Sequence, residues 1–184
     1  SVDVAGLSGD GYRIDGIQVA GVNAKKDGSK LSGGLRKGTI TNGVIDGYGG
    51  VDQLTAEGLK GSVAGDGYAL RASSLAAGGV REEVLGGTAD TVSAGGLSLE
   101  GAKDKFTINA AELDAKNAQW DDFGMGSIQA REMSTSVDGQ DLSGGFKSAG
   151  VSDVRYQDSL SMDSGHIRDV DFAGNKDSVE TSIR

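Results

Sequence analysis

The chain has 184 residues, with 32 glycines, no proline, no cysteine and only 5% aromatic residues. Its 18 basic and 27 acidic residues give a net charge of −9, which disfavours nucleic acid as a partner. The absence of cysteine excludes disulfides and thiolate metal sites, and the scarcity of large side chains predicts a thin interior of Ala, Val, Ile, Leu and Gly.

The chain begins SVDVAGLSGDG, without the basic and apolar regions of a signal peptide, and no segment reaches the roughly 20 apolar residues of a membrane span. We therefore expect a processed product or a piece of a longer chain that does not span a membrane. We also expect an extracellular or cell-surface location, because large secreted bacterial repeat proteins commonly lack cysteine.

A loose unit, apolar-x-small-x-x-apolar-x-small, recurs along the chain. It is found from Val2 to Gly9 and from Tyr12 to Val19. Later copies start at residues 54, 70, 92, 108, 128, 149 and 165, so the gaps between them are 16, 22, 16, 20, 21 and 16 residues. Self-similarity at about this period is typical of repeat architectures.

Within each half of the unit the apolar residues are two apart, as on one face of a strand. The two extra residues between the halves let the chain turn a corner while the apolar side stays inward. We therefore predict an all-β fold: a β-solenoid, a right-handed parallel β-helix with about 8–10 coils of roughly 20 residues. Residues 1–184 would form one such segment.

Glycine-rich tracts separate many units, and they predict corners and outer loops. Residues 25–37, KKDGSKLSGGLRK, contain five of the 18 basic residues and no clean unit. This segment is predicted to be a protruding basic loop.

Residues 106–120, FTINAAELDAKNAQW, alternate like a strand but change phase in the middle. Helix propensity alone would allow a helix here, but a helical face starting at Ile108 would include Glu112 and omit Leu113. We favour a corner at Ala111 and Glu112. On this interpretation Leu113→Asp disrupts packing and Glu112→Lys is nearly silent.

Candidate chemical groups are few. His166 lies in DSGHIRD near Asp163 and Asp169, and the unit places it on the outside beside inward Ile167. We interpret it as a surface histidine.

Acidic pairs occur at Glu82–Glu83 and Asp121–Asp122. Together with Trp120 and Tyr156, the second pair would suit a groove that cleaves polysaccharides. The acids do not recur at one position of the unit, however, which favours solvated loop charge.

Three further patterns bear on calcium, phosphate and ice binding. GDG at 9–11 and 65–67 is similar to calcium-roll repeats, but these return every nine residues and the two copies are 56 apart. No Gly-Lys-Ser/Thr motif follows a glycine loop. Thr39, Thr41, Thr107 and Thr135 share no single position of the unit. We therefore assign no catalytic, cofactor-binding or metal-ligating residue and no cofactor.

The glycine-separated units, as in TADTVSAGGLSLEGAKDKFTINAAELDAKN at 88–117, resemble the repeats of filamentous-haemagglutinin-like proteins. The resemblance covers residues 50–175. It implies the β-helical shaft of a secreted bacterial adhesin or polymorphic toxin, with no catalytic residues.

We expect a non-enzymatic shaft, spacer or passenger body that presents loops to a partner, with ends capped by other domains of a parent chain or by another copy. Three alternatives stay open. They are the body of a toxin or cargo delivered by a secretion or phage-tail-like apparatus, a polysaccharide-acting β-helix enzyme, and a lipid-carrying β-groove protein. The last requires a wide apolar trough, whereas the inward residues are mostly small.

Overall fold

The computed structural model describes residues 1–84, 86–157, 159–175 and 178–183. All regular secondary structure in these ranges is β, which confirms the predicted all-β class. The strands of the described residues are β1 (Val2–Gly9), β2 (Tyr12–Ala20), β3 (Asn23–Asp27), β4 (Lys30–Ile45), β5 (Gly49–Ala64), β6 (Gly67–Glu82), β7 (Gly87–Ala102), β8 (Lys105–Trp120), β9 (Phe123–Asp138), β10 (Asp141–Tyr156), β11 (Leu160–Asn175) and β12 (Val179–Ile183).

The strands form one open antiparallel sheet in the order β1-β2-β4-β5-β6-β7-β8-β9-β10-β11-β12, with β3 paired to β4. The predicted right-handed parallel β-helix with about 8–10 coils is therefore wrong. Short turns such as Lys103–Asp104 and Gly65–Asp66 join neighbouring strands. Parallel strands need a much longer crossover, so connections of this length make the chain reverse direction at every turn.

The repeat itself is real, but it corresponds to a strand and its turn. Strands β4 to β11 each have 16 residues and begin at 30, 49, 67, 87, 105, 123, 141 and 160. The mean spacing is (160 − 30)/7, about 18.6 residues. This matches the spacing of the sequence unit, because each of the strands β5 to β11 contains the start of one copy.

Each long strand changes phase twice. In β8 the apolar residues that are half-buried or buried are Phe106, Ala110, Leu113, Ala115, Ala118 and Trp120. Two consecutive residues are exposed before Leu113 and again before Ala118. Ladder pairing breaks at the same places: Ala110 pairs with Met133 and Glu112 with Arg131, which leaves Ala111 unpaired. The predicted phase change at Ala111 and Glu112 is therefore present, within a strand of a meander.

One residue at a corner of each long strand has a left-handed backbone conformation. In β8 this residue is Asn117, with φ of 49°. The corresponding residues of β4 to β11 form two lines across the sheet, on alternate strands: Asn42, Gly79, Asn117 and Asp153 on one line, and Gly58, Gly96, Glu132 and Asp169 on the other. These lines divide the sheet into a central panel and two outer panels.

Residues 25–37, for which we expected a protruding loop, lie in the hairpin of β3 and β4. Their turn contains Gly28, with φ of 57°, a conformation that glycine adopts without steric cost. All five residues of β3 are exposed.

Candidate functional site

One face of the sheet is apolar along its whole length. Residues directly opposite each other in a ladder point to the same face, so rows of paired apolar residues identify it. Two rows cross the central panel. They are Val4, Ile17, Ile40, Leu54, Ala77, Val92, Ala115, Ile128, Val151 and Gly165 in the first row, and Val2, Val19, Gly38, Ala56, Leu75, Ala94, Leu113, Ala130, Ala149 and Ile167 in the second. We call this surface, with the matching rows of the outer panels, the apolar face.

Large and small side chains alternate along parts of these rows. Ala94 separates Leu75 from Leu113, being directly opposite both. In an outer panel the indole of Trp120 lies over Gly87, where an added Cβ would come within 2.3 Å of Nε1. Glycine and alanine are therefore needed beside large neighbours in this single layer.

The apolar face is uncovered. Its buried side chains in the described chain are small or β-branched: Ala72, Ala110, Ala115, Ala118, Ala130 and Val170. By contrast Leu70 and Ile108 are each 42% exposed, Tyr156 is 46% exposed and Leu160 is 65% exposed. No large side chain in the described residues has less than 2% exposure, so the sheet has no closed core.

The total accessible surface agrees with a single uncovered layer. The chain exposes 11803 Å² at a mass of 18.6 kDa. A compact monomer of this mass exposes about 8,200 Å², so the excess is about 3,600 Å². This excess includes both faces of the layer. An exposed apolar patch larger than a few hundred Å² is characteristic of an interaction surface.

The opposite face is polar and carries cross-strand pairs. Glu112 lies directly opposite Arg131, with 3.2 Å between Oε2 and Nη1, and Arg131 also contacts Asp114 at 3.0 Å. Lys105 is directly opposite Asp138, at 2.6 Å. The hydrogen bond that Lys105 donates to Asp138 raises the pKa of Lys105, and the one that Arg131 donates to Asp114 raises the pKa of Arg131.

Hydroxyl pairs support the same face. Thr107 Oγ1 and Ser136 Oγ are 2.9 Å apart, as are the hydroxyls of Ser127 and Ser152. A hydrogen bond from Lys147 to Asp169, at 2.5 Å, raises the pKa of Lys147. These pairs join neighbouring strands across the polar face, and their partners agree with the antiparallel register that aligns the apolar rows.

The residues considered for polysaccharide cleavage lie near the turns at one end of strands β8 to β10, but on different surfaces. Trp120 is directly opposite Phe123, which is directly opposite Tyr156, and all three belong to the apolar face. Asp121 and Asp122 form the turn and line a surface depression of about 610 Å³ with Asp153, Arg155 and Gln157. Neither Trp120 nor Tyr156 lines that depression.

The turn acids have protein partners. Asp122 accepts a hydrogen bond from Gln157 Nε2 at 2.8 Å, and Glu82 Oε1 accepts one from the backbone N–H of Val84 at 2.5 Å. Glu83 follows Glu82 in the turn after β6, and its N–H donates to the carbonyl of Tyr48 at 3.1 Å. These contacts order the turns.

The remaining candidate residues are dispersed. His166 is exposed and directly opposite Gly150, and Asp163 and Asp169 lie in the same strand. The GDG segments lie at hairpin turns, where Asp66 is 3.6 Å from Lys103 Nζ. Thr39, Thr41, Thr107 and Thr135 are divided between β4, β8 and β9. Across the ranges that the structure describes, no three His, Asp or Glu residues gather closely enough to hold a metal ion.

Two features of the site escaped the sequence interpretation. Each long strand has a third apolar segment, such as Ala118 and Trp120 in β8. It begins three residues after Ala115, which is the same spacing as that between Ala110 and Leu113. The six gaps between units, 16, 22, 16, 20, 21 and 16 residues, are unequal because the units start in different rows of the sheet. Leu54 lies in the first row of the central panel, whereas Leu70 lies in an outer panel opposite Gly61 and Leu99. Stacked coils would give equal gaps.

The chain has no match among protein-family models, among curated proteins or among solved structures. None of the described residues forms a helix of the length and hydrophobicity needed to cross a membrane.

Proposed function

We propose that the chain is a non-enzymatic structural segment, a shaft or spacer whose length is set by its number of strands and whose turns are presented to a partner. The observation that carries this proposal is the uniformity of β4 to β11, eight strands with the same length and the same two corners. Among the described residues each strand contacts only its sheet neighbours, so length grows by one strand at a time.

The edges of the sheet are compatible with this role. β1 pairs only with β2, and β12 only with β11, among the described residues. Such edges accept further strands from the same chain or from another. We include in this proposal the resemblance to filamentous-haemagglutinin-like shafts, which extends only to repeated β-structure. The proposal also includes the secreted or cell-surface location that this resemblance implies.

The test is removal of one hairpin. Deleting residues 105–140 joins the turn at Lys103–Asp104 to β10, which has the same direction and the same corner spacing as β8. A spacer should fold and shorten by two strand spacings, about 10 Å, in small-angle X-ray scattering. A second copy of residues 105–140 should lengthen it by the same amount. Unfolding of both variants would contradict the proposal.

A second candidate, a lipid-carrying groove, is favoured by one observation: the sheet is open and its apolar face is uncovered. Acyl chains could lie along this face. The small residues of the central panel, such as Ala94 and Ala115, leave room on that surface. Mass spectrometry of organic extracts from the purified protein tests this candidate, which requires a stoichiometric lipid.

A further inference from the structure

We propose that the apolar face binds the apolar face of a second copy of this chain, giving a two-layered sheet sandwich. This inference extends the proposed structural role, but it depends on the surface of the sheet and not on the number of strands. A chain could therefore fail the hairpin-deletion test and still associate through this face, or pass that test as a monomer.

The first argument is area. The chain exposes 11803 Å², about 3,600 Å² more than a compact monomer of its mass. A stable protein interface of ordinary size buries about 800 Å² on each partner. Covering only half of the excess would thus remove about 1,800 Å² per chain, which is the area of a large, permanent interface.

The second argument is the distribution of charge. At a net charge of −9, two copies of the chain repel each other in most orientations. Among the described residues in the rows of the apolar face, only Lys26 and Glu82 are charged. The other charged residues that the structure describes lie on the polar face, at corners or in turns. Two copies that meet through their apolar faces therefore keep nearly all their carboxylates on the outside, a full sheet thickness away from the contact.

The third argument is surface relief. In the central panel Ala94 lies between Leu75 and Leu113, and Ala115 lies between Val92 and Ile128. Such hollows between larger side chains can receive larger side chains of a facing sheet at the usual spacing of about 10 Å. An isologous contact is the simplest arrangement, since one self-complementary surface then satisfies both copies.

The experiment measures association as a function of concentration by analytical ultracentrifugation with fluorescence detection, from about 10 nM to 100 μM, a range that covers nanomolar to micromolar dissociation constants. The test variant is Leu70→Lys, on the apolar face of β6, where Leu70 is 42% exposed. The matched control is Ala76→Lys, in the same strand, where Ala76 is exposed on the polar face opposite Thr55 and Ser93. Both changes reduce the net negative charge equally, so general repulsion cannot distinguish them.

We expect the wild-type chain and Ala76→Lys to self-associate alike, and Leu70→Lys to associate at least about tenfold more weakly. Leu160→Lys repeats the test at a residue that is 65% exposed, where we expect a replacement to leave folding intact. Far-ultraviolet circular dichroism of each variant verifies the fold. Leu70→Lys and Ala76→Lys with equal association would overturn the proposal, as would a wild-type monomer at 100 μM, whether free or carrying a bound lipid detected by mass spectrometry.

Discussion

Asn117 donates a hydrogen bond from Nδ2 to Asp90 Oδ2 over 2.6 Å, between β8 and β7. The donor residue has φ of 49° and lies at one of the corners where ladder pairing is interrupted. Asn42 makes the same contact with Asp15 at 3.0 Å, also from a left-handed conformation. The repetition indicates that the side-chain bond replaces the ladder bonds that are lost at the corner.

Two replacements of Asn117 separate the contribution of its side-chain hydrogen bond from that of its left-handed backbone conformation. Asn117→Gly keeps the left-handed backbone and loses one exposed hydrogen bond, so we expect a loss of about 0.5–1 kcal/mol in the free energy of unfolding. Asn117→Ala loses the same hydrogen bond. Alanine also has a Cβ but no polar group that could hydrogen-bond locally, so the left-handed conformation costs it about 1–2 kcal/mol more. Chemical denaturation of both variants measures the difference, and a less stable glycine variant would refute the role of the backbone conformation.

Much of the local structure could be predicted from the sequence because it depends on residues close along the chain. The all-β class, the repeat near 18.5 residues and the corner at Ala111 all follow from the spacing of apolar side chains. Strand direction could not be recovered in the same way. A unit with apolar residues at both ends has nearly the same pattern in either direction, so Ile108 and Leu113 carry no information about whether the next strand runs up or down.

The apolar face was missed for a related reason. The sequence shows which side chains share a face, but covering that face depends on contacts far apart in the chain or between chains. Leu113 points to the same side in a closed coil and in an open sheet. Only the pairing of Leu113 with Ala94 and Ala130 distinguishes the two arrangements.

Leu113 and Glu112 provide a matched pair on opposite faces of β8. Leu113→Asp places a carboxylate among apolar neighbours of the central panel, and we expect a loss of about 2–4 kcal/mol in unfolding free energy. Glu112→Lys opposes Arg131 with a like charge at an exposed pair and should cost about 1 kcal/mol or less. Thermal or urea denaturation compares them. Equal losses would rule out the assignment of faces at this corner.

Gly87 is required by the ring of Trp120, the only tryptophan in the chain. A Cβ at Gly87 would come within 2.3 Å of Nε1, so Gly87→Ala should displace the indole and change its fluorescence spectrum. Gly124→Ala is the control, because the nearest atom to a Cβ there is 3.9 Å away. If Gly87→Ala left the emission of Trp120 unchanged, the close approach of the indole to β7 would be wrong.

The lysine pairs on the polar face predict an alkaline limit to stability. The partners Asp138 and Asp169 raise the pKa of Lys105 and of Lys147 above the usual 10.5. Protonated lysine is thus favoured in the folded state, so this stabilisation is complete below pH 10.5 and is lost as the pH rises through the raised pKa.

Unfolding free energy measured between pH 8 and pH 12 tests this limit. The double variant Lys105→Met/Lys147→Met should lose part of the alkaline decrease. The control Lys116→Met, in the same strand as Lys105, should keep it. Identical pH profiles for the wild type and the double variant would count against the contribution of these pairs.

The antiparallel meander is tested most directly by engineered disulfides, since the natural chain contains no cysteine. Thr107 and Ser136 are directly opposite each other, with hydroxyls 2.9 Å apart. Asn109 and Gln129 instead occupy the same position in consecutive sequence units, and would be neighbours only in a stack of parallel coils. In the meander Asn109 pairs with Ser134, and Gln129 with Asp114.

The measurement is peptide mapping of the two double-cysteine variants under oxidising conditions, at a concentration low enough to prevent links between chains. The meander predicts a disulfide in Thr107→Cys/Ser136→Cys and none in Asn109→Cys/Gln129→Cys. The opposite result, a link between residues 109 and 129 without one between 107 and 136, would contradict the antiparallel sheet and every conclusion that depends on its apolar face.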